Sequence, residues 1–212
     1  MKIAVIGATG KTGRAVVERA LAQGHEVTAM VRSAAKAEAA FGQRVTIVEE
    51  DALALTQAEL TGYDAVVDAF ASHQAAYQHL DLATRLIAAF RNDPHTIVAF
   101  ILGASSLRQS DGSLVIDEVL AKNAGASWIE TPKQQAYEYQ YLQWVDNVRW
   151  IAVSPQFEFV EGPQTTYRLG LDDLMKNPAG KSVVSTGNLA AALVAELEHP
   201  EHIRQRFTVV DA

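Results

Sequence analysis

Three glycines spaced by three, Gly7, Gly10 and Gly13, follow the β-branched run Ile3–Ile6 and open a segment patterned as helix from Thr12 to Gln23. Strand, tight turn and helix in that order make a phosphate site. A helix N-terminus presents unpaired N–H groups and a partial positive charge, and only glycine lets a pyrophosphate reach the backbone. In this arrangement Gly7 makes the turn, Gly10 allows the approach and Gly13 allows close packing of helix on strand. Gly10-Lys11-Thr12 also resembles the end of a Walker A loop, but that loop needs a glycine five residues earlier and the residue there is Val5. A nucleoside triphosphatase is thereby rejected and a dinucleotide turn favoured, although one extra residue follows the first glycine of the usual G-x-G-x-x-G.

Strands and helices must alternate to hold such a turn. Strand patterns fall at 26–31, 45–49, 64–70, 96–102, 148–153, 182–185 and 206–210, and helical patterns at 34–40, 56–60, 77–90, 114–122, 132–145 and 189–197. Thr131 is placed as an N-cap with Pro132 at the first helical position. Alternation of this kind predicts a parallel α/β sheet, doubly wound with helices on both faces. Regularity weakens after Ser154-Pro155, and residues 154–185 read as a small irregular substrate-side region of one domain spanning 1–212.

Composition excludes other classes. The chain of 212 residues is 49% hydrophobic and 20% charged, an ordinary globular balance, and it has no cysteine for a disulfide, thiolate metal site or thiol nucleophile. Its net charge of −7 argues against a nucleic-acid partner, and no apolar run approaches membrane-spanning length. A cytoplasmic location, a small-molecule substrate and a monomer or homodimer are the expectations.

In a parallel sheet, chemistry belongs at the carboxyl ends of the strands. The second strand ends in Arg32, which suits the 2′-phosphate of NADP, where an NAD enzyme would carry an acid for the ribose hydroxyl. Asp51, after the third strand, can approach an adenine or cap a helix. Ala69 and Phe70 end the fourth strand and are small or apolar enough to flank a cofactor. His73 and His79 beyond them lack a further ligand at metal-binding spacing and are read as solvated or capping, with no metal. Gly103 opens the end of the fifth strand, where Ser105 can face a substrate or serve as a turn serine. Tyr137 is a candidate general acid if a cation lies one turn away; position 141 is Tyr141, which leaves Lys133, one turn before, in that role.

Taken together, Gly7-Ala8-Thr9-Gly10-Lys11-Thr12-Gly13, Val31-Arg32, Gly103–Leu107, Val153-Ser154-Pro155 and Gly180–Ser185 resemble the atypical branch of the short-chain dehydrogenase/reductase superfamily. The nearest likeness is to the small NAD(P)H-binding proteins related to biliverdin reductase B and flavin reductase, and to nitrogen-regulator-like NADP sensors. The resemblance implies a Rossmann-like fold and an NADP cofactor, with NAD second. It further implies that Gly7, Thr9, Gly10, Lys11, Thr12 and Gly13 hold pyrophosphate, Arg32 the 2′-phosphate, and Ser154, Pro155 and Gln156 the nicotinamide end. The superfamily's active-site tyrosine and lysine fall on Tyr137 and Tyr141, so the tyrosine is kept and the lysine lost. An NADPH-dependent reductase of a flavin, quinone or carbonyl compound, or a non-catalytic NADP(H) sensor that regulates a protein partner, follows from that pattern.

Overall fold

The apolar, β-branched runs pair side by side, because a strand buried on both faces can satisfy its backbone only through neighbouring strands. In the computed structural model, which describes residues 1–212, the strands are β1 (Lys2–Ile6), β2 (Glu26–Val31), β3 (Thr46–Glu49), β4 (Ala65–Asp68), β5 (Ile97–Ile101), β6 (Trp150–Ser154), β7 (Glu158–Val160), β8 (Tyr167–Gly170), β9 (Val183–Ser185) and β10 (Gln205–Asp211). Eight of them form one sheet in the order β3-β2-β1-β4-β5-β6-β10-β8, parallel throughout except for the antiparallel edge strand β8. β7 and β9 make a separate parallel ribbon. The predicted doubly wound α/β architecture is the one observed.

The helices are α1 (Lys11–Ala22), α2 (Ala34–Phe41), α3 (Gln57–Leu60), α4 (Gln78–Ala89), α5 (Val115–Lys122), α6 (Glu130–Leu142) and α7 (Thr186–Glu198). One face of the sheet packs Val16, Val17 and Ala20 of α1 and Leu189, Leu193 and Val194 of α7 against Ile3, Val5 and Val153. The other packs Leu82, Leu86 and Ile87 of α4 and Leu142 of α6 against Val66, Val98 and Trp150. Strand alternation sorts the sheet residues between these two cores.

Three local expectations are corrected. Thr131 does not cap α6: a 3₁₀ turn over Ser127–Ile129 runs directly into the helix, so Thr131 and Pro132 lie inside its first turn, where the N–H that proline lacks is not needed. α7 begins three residues earlier than expected because Ser185 caps it, its Oγ accepting from the Asn188 N–H at 3.1 Å. His79 is neither solvated nor capping; it is 4% exposed, packs edge-on against Phe70 and accepts the Ser72 N–H at Nε2.

Candidate functional site

The glycine turn owes its shape to backbone contacts. Gly7 has φ +73°, and a Cβ there would sit 2.8 Å from the Ala69 carbonyl oxygen. A Cβ on Gly13 would overlap the Gly7 carbonyl oxygen and lie 2.9 Å from Ala8 Cα, so α1 rests directly on the turn. Gly10 precedes α1 in an extended conformation with no side-chain cap, and the N–H groups of Lys11, Thr12 and Gly13 find no acceptor in the protein. Those orphan donors and the helix dipole make a cradle for an anion.

The cradle opens into a cleft of about 910 Å³ that crosses the carboxyl ends of the central strands. Gly7, Thr9, Gly10, Lys11 and Thr12 line one stretch of it. Arg32 and Ser33 after β2, with Lys36 one turn into α2, line another. Ala69 and Phe70 follow β4, Gly103 and Ala104 follow β5, and Pro155, Gln156, Phe157 and Phe159 follow β6. The lining holds four cations, Lys11, Arg14, Arg32 and Lys36, and one carboxylate, Glu50, although the chain as a whole is acidic at −7. Positive charge is thus concentrated where phosphates would lie. Lys11 also reaches across the cleft, its Nζ donating to the Phe159 carbonyl at 3.0 Å and standing 4.4 Å from the centre of that ring.

The candidate residues divide by place. Gly7, Thr9, Gly10, Lys11, Thr12, Arg32, Ala69, Phe70, Gly103, Pro155 and Gln156 come together on the cleft. Gly13 is buried behind it. Asp51 lies outside, exposed, with Oδ1 accepting the Leu53 N–H at 2.9 Å in a turn. Tyr137 is 46% exposed and lies off the cleft, and Lys133, one turn before it, ion-pairs with Glu130 at 2.9 Å. Ser105 and Ser154 are buried just behind the lining, and neither hydroxyl has a hydrogen-bond partner. Gln156 spends three of its four hydrogen-bonding positions internally: Nε2 donates to Thr208 Oγ1, and Oε1 accepts from the Met175 N–H and the Ser182 hydroxyl.

Sequence reasoning passed over several residues of the site. Lys36 lies one turn into α2 from Arg32 and has no motif to announce it. Gln135 of α6 reaches the lining because Gly103 has no side chain; a Cβ there would overlap Gln135 Oε1. Asp68 and Glu138 are two buried carboxyls, 6% and 3% exposed. Burial pushes the Asp68 carboxyl up to about 7 against a single favourable N–H from Phe70. Burial first, and then the charge of Asp68, push Glu138 well above the usual carboxylate range, and its Oε2 has no partner. An acid ending an otherwise apolar strand, as Asp68 does, was the available signal.

The NAD(P)H-binding family model matches residues 7–200, from the first glycine of the turn through α7. YwnB of Bacillus subtilis (strain 168) is 35% identical over 99% of this chain and 98% of its own. A crystal structure from Lactobacillus casei superposes with a TM-score of 0.95 at 42% identity over the whole of both chains. A Streptococcus pneumoniae TIGR4 protein, provisionally assigned as an NADH-flavin reductase, superposes at 0.89 with 32% identity, again over the whole of both chains. The glycine cradle, its orphan donors and the cationic lining fit a dinucleotide, and with these matches they establish that the chain belongs to the NAD(P)H-binding family.

Proposed function

We propose that the protein is an NADPH-dependent reductase of a small planar or carbonyl-containing acceptor, such as a flavin, quinone or aldehyde. The observation that carries this reading is the polarity of the cleft. Its lining joins the cations Arg32 and Lys36 beside β2 to three aromatic rings, Phe70 after β4 and Phe157 and Phe159 after β6. The lining residue at the end of β2 is the cation Arg32, where an NAD enzyme would place an acid. The N–H groups of α1 would hold the pyrophosphate, Arg32 and Lys36 the 2′-phosphate, and the bound dinucleotide supplies a hydride. The chain's own part is to orient and to exclude water, with aromatic rings in the lining that a planar acceptor can contact. The provisional assignment of the Streptococcus pneumoniae relative supports the reductase reading.

NADPH oxidation measured against FMN, a naphthoquinone and an aliphatic aldehyde tests it; no turnover with any acceptor overturns it. For cofactor choice, Arg32→Ala should cost on the order of 1.5–3 kcal/mol of NADP affinity, roughly tenfold or more, and leave NAD nearly unchanged. Equal losses by calorimetry would show that Arg32 does not read the phosphate.

The position of Tyr137 favours a second reading. With Tyr137 and Lys133 off the cleft, the superfamily's proton relay has no counterpart facing the cofactor, as a sensor of NADP(H) would have it. A sensor requires a partner whose affinity changes with bound NADP, and pull-downs with and without the cofactor that recover the same proteins would sink this alternative.

A further inference from the structure

Behind the wall of the cleft lies a second layer of polar side chains. Ala69 lines the cleft and Asp68 precedes it; Ala104 lines it and Ser105 follows; Pro155 lines it and Ser154 precedes; Gln135 lines it and Glu138 is one turn on along α6. Register places members of this layer on one face of the sheet. Asp68 is opposite Phe100 and Phe100 opposite Ala152, so Asp68 and Ala152 point to the same face of the sheet, as does Ser154 two residues further. That face is the one α4 and α6 cover.

The layer is polar yet under-bonded. All four side chains are at least nine-tenths buried, and Ser105 Oγ, Ser154 Oγ and Glu138 Oε2 have no partner in the protein. Native interiors rarely leave three such atoms unsatisfied. The surrounding charges are engaged elsewhere. On α4, buried His79 accepts the Ser72 N–H; on β10, Arg206 bonds Ser106 Oγ at 2.7 Å and Asp172, with its guanidinium 4.0 Å from the centre of the Tyr139 ring. Tyr139 of α6 donates to Asp172, and His73, at the cleft edge, faces Thr131. With no cation to pair with, two carboxyls in one apolar layer cannot both ionise cheaply, and a shared proton relieves the conflict.

We propose that Asp68 and Glu138 form a proton-sharing pair that serves as the proton reserve of the cleft, reaching the substrate through the hydroxyls of Ser105 and Ser154. The inference rests on the reductase reading above. Reduction of a carbonyl, quinone or flavin consumes one hydride and one proton. The hydride carries both electrons from the reduced dinucleotide to the acceptor, and the dinucleotide leaves oxidised. The proton goes to the acceptor's oxygen or nitrogen; the pair, which holds a proton on each carboxyl below neutrality, gives one up, keeps the other shared between its two carboxyls, and is refilled from bulk water before the next cycle. Tyr137, exposed and off the cleft, is then not needed as the acid. Asp68 and Glu138 act through intervening hydroxyls and do not touch the substrate.

Infrared spectroscopy of the wild-type protein, Glu138→Gln and Asp68→Asn, combined with the pH profile of kcat, tests the pair. Both replacements keep side-chain shape and remove a buried charge, so folding is not at risk on that account. The wild type should show the carbonyl stretch of a protonated carboxylic acid at pH 6 that fades as pH rises through neutrality. Each variant should lose or shift that band. In NADPH-dependent reduction, each variant should lose roughly 10²-fold in kcat and the alkaline fall of the profile, with KM for NADPH unchanged. Turnover by a wild-type protein that lacks the band overturns the pair and leaves the reductase reading standing. A band with kcat and pH profile unchanged in both variants overturns the reserve. No turnover with any acceptor overturns both readings, because a reserve with nothing to protonate has no role.

Discussion

Asp68→Asn should make the protein more stable at neutral pH. Burial holds the Asp68 carboxyl at about 7 in the fold, against an ordinary value of 3.8. The difference, 7 − 3.8 = 3.2, at about 1.36 kcal/mol per pH unit sets a ceiling of about 4 kcal/mol. The sign follows from where the protons go. Below pH 4 the folded and unfolded chains are both protonated and the residue contributes nothing. Between about 4 and 7 the unfolded chain releases a proton that the fold retains, so unfolding is favoured more with each pH unit; above 7 the penalty is constant. In the variant the side-chain oxygen can still accept the Phe70 N–H, now 2.9 Å from Oδ1, and the amide can donate towards the unpartnered Glu138 Oε2. Urea unfolding of both proteins at pH 4.5 and pH 8 measures the effect, and for a domain this size each kcal/mol moves Tm by roughly 2–4 °C. The variant's advantage should grow by 2 kcal/mol or more between the two pH values, within that ceiling. An advantage independent of pH, or a variant less stable than wild type at pH 8, would refute a buried, protonated Asp68.

Gly13→Ala should cost about 1–3 kcal/mol of stability and weaken NADPH binding at least tenfold, since its Cβ would press on the backbone of Gly7 and Ala8 and neither can swing aside; thermal melts and a fluorescence titration check it. His79 should keep the ring signals of a neutral imidazole at pH 5.5 by NMR, because burial lowers it to about 4. Its unfolded counterpart takes up a proton below about 6.5, so this residue withdraws up to about 3 kcal/mol of stability as pH falls from 6.5 to 4, and an imidazolium at pH 5.5 would contradict its burial.

The architecture and the phosphate end of the cleft were legible because their signals are local. Alternating apolar runs mark strands, and the three glycines carry information in what they lack, so the turn, the first helix and Arg32 could be placed from spacing alone. The boundaries of α6 and α7 were less so: a 3₁₀ turn extends the first, and a serine three residues before an asparagine starts the second. The rest of the cleft was least legible. Gln135 enters the lining by filling the space beside Gly103, thirty-two positions away in the chain. Asp68 and Glu138 acquire their character only from burial in a shared layer, which no periodicity reports. Tyr137 sits on the expected helix, but it does not line the cleft, and which residues of a helix reach a cleft is a property of packing rather than spacing.

β10 is the last of these strands in chain order, and it carries many of the fastenings of the end of the cleft beyond β6. Arg206 holds Ser106 and Asp172, Thr208 holds Gln156, and the Asp211 carboxylate accepts from the Ser185 N–H at 3.0 Å and Asn188 Nδ2 at 2.7 Å. The glycine cradle and the Arg32 corner, by contrast, draw on residues 7–36. The anion-binding lining is therefore short-range in sequence, while the residues that shape the other end are fastened by a strand that slots in between β6 and β8. A change in β10 should therefore disturb the end of the cleft beyond β6 more directly than it disturbs the lining around the glycine turn.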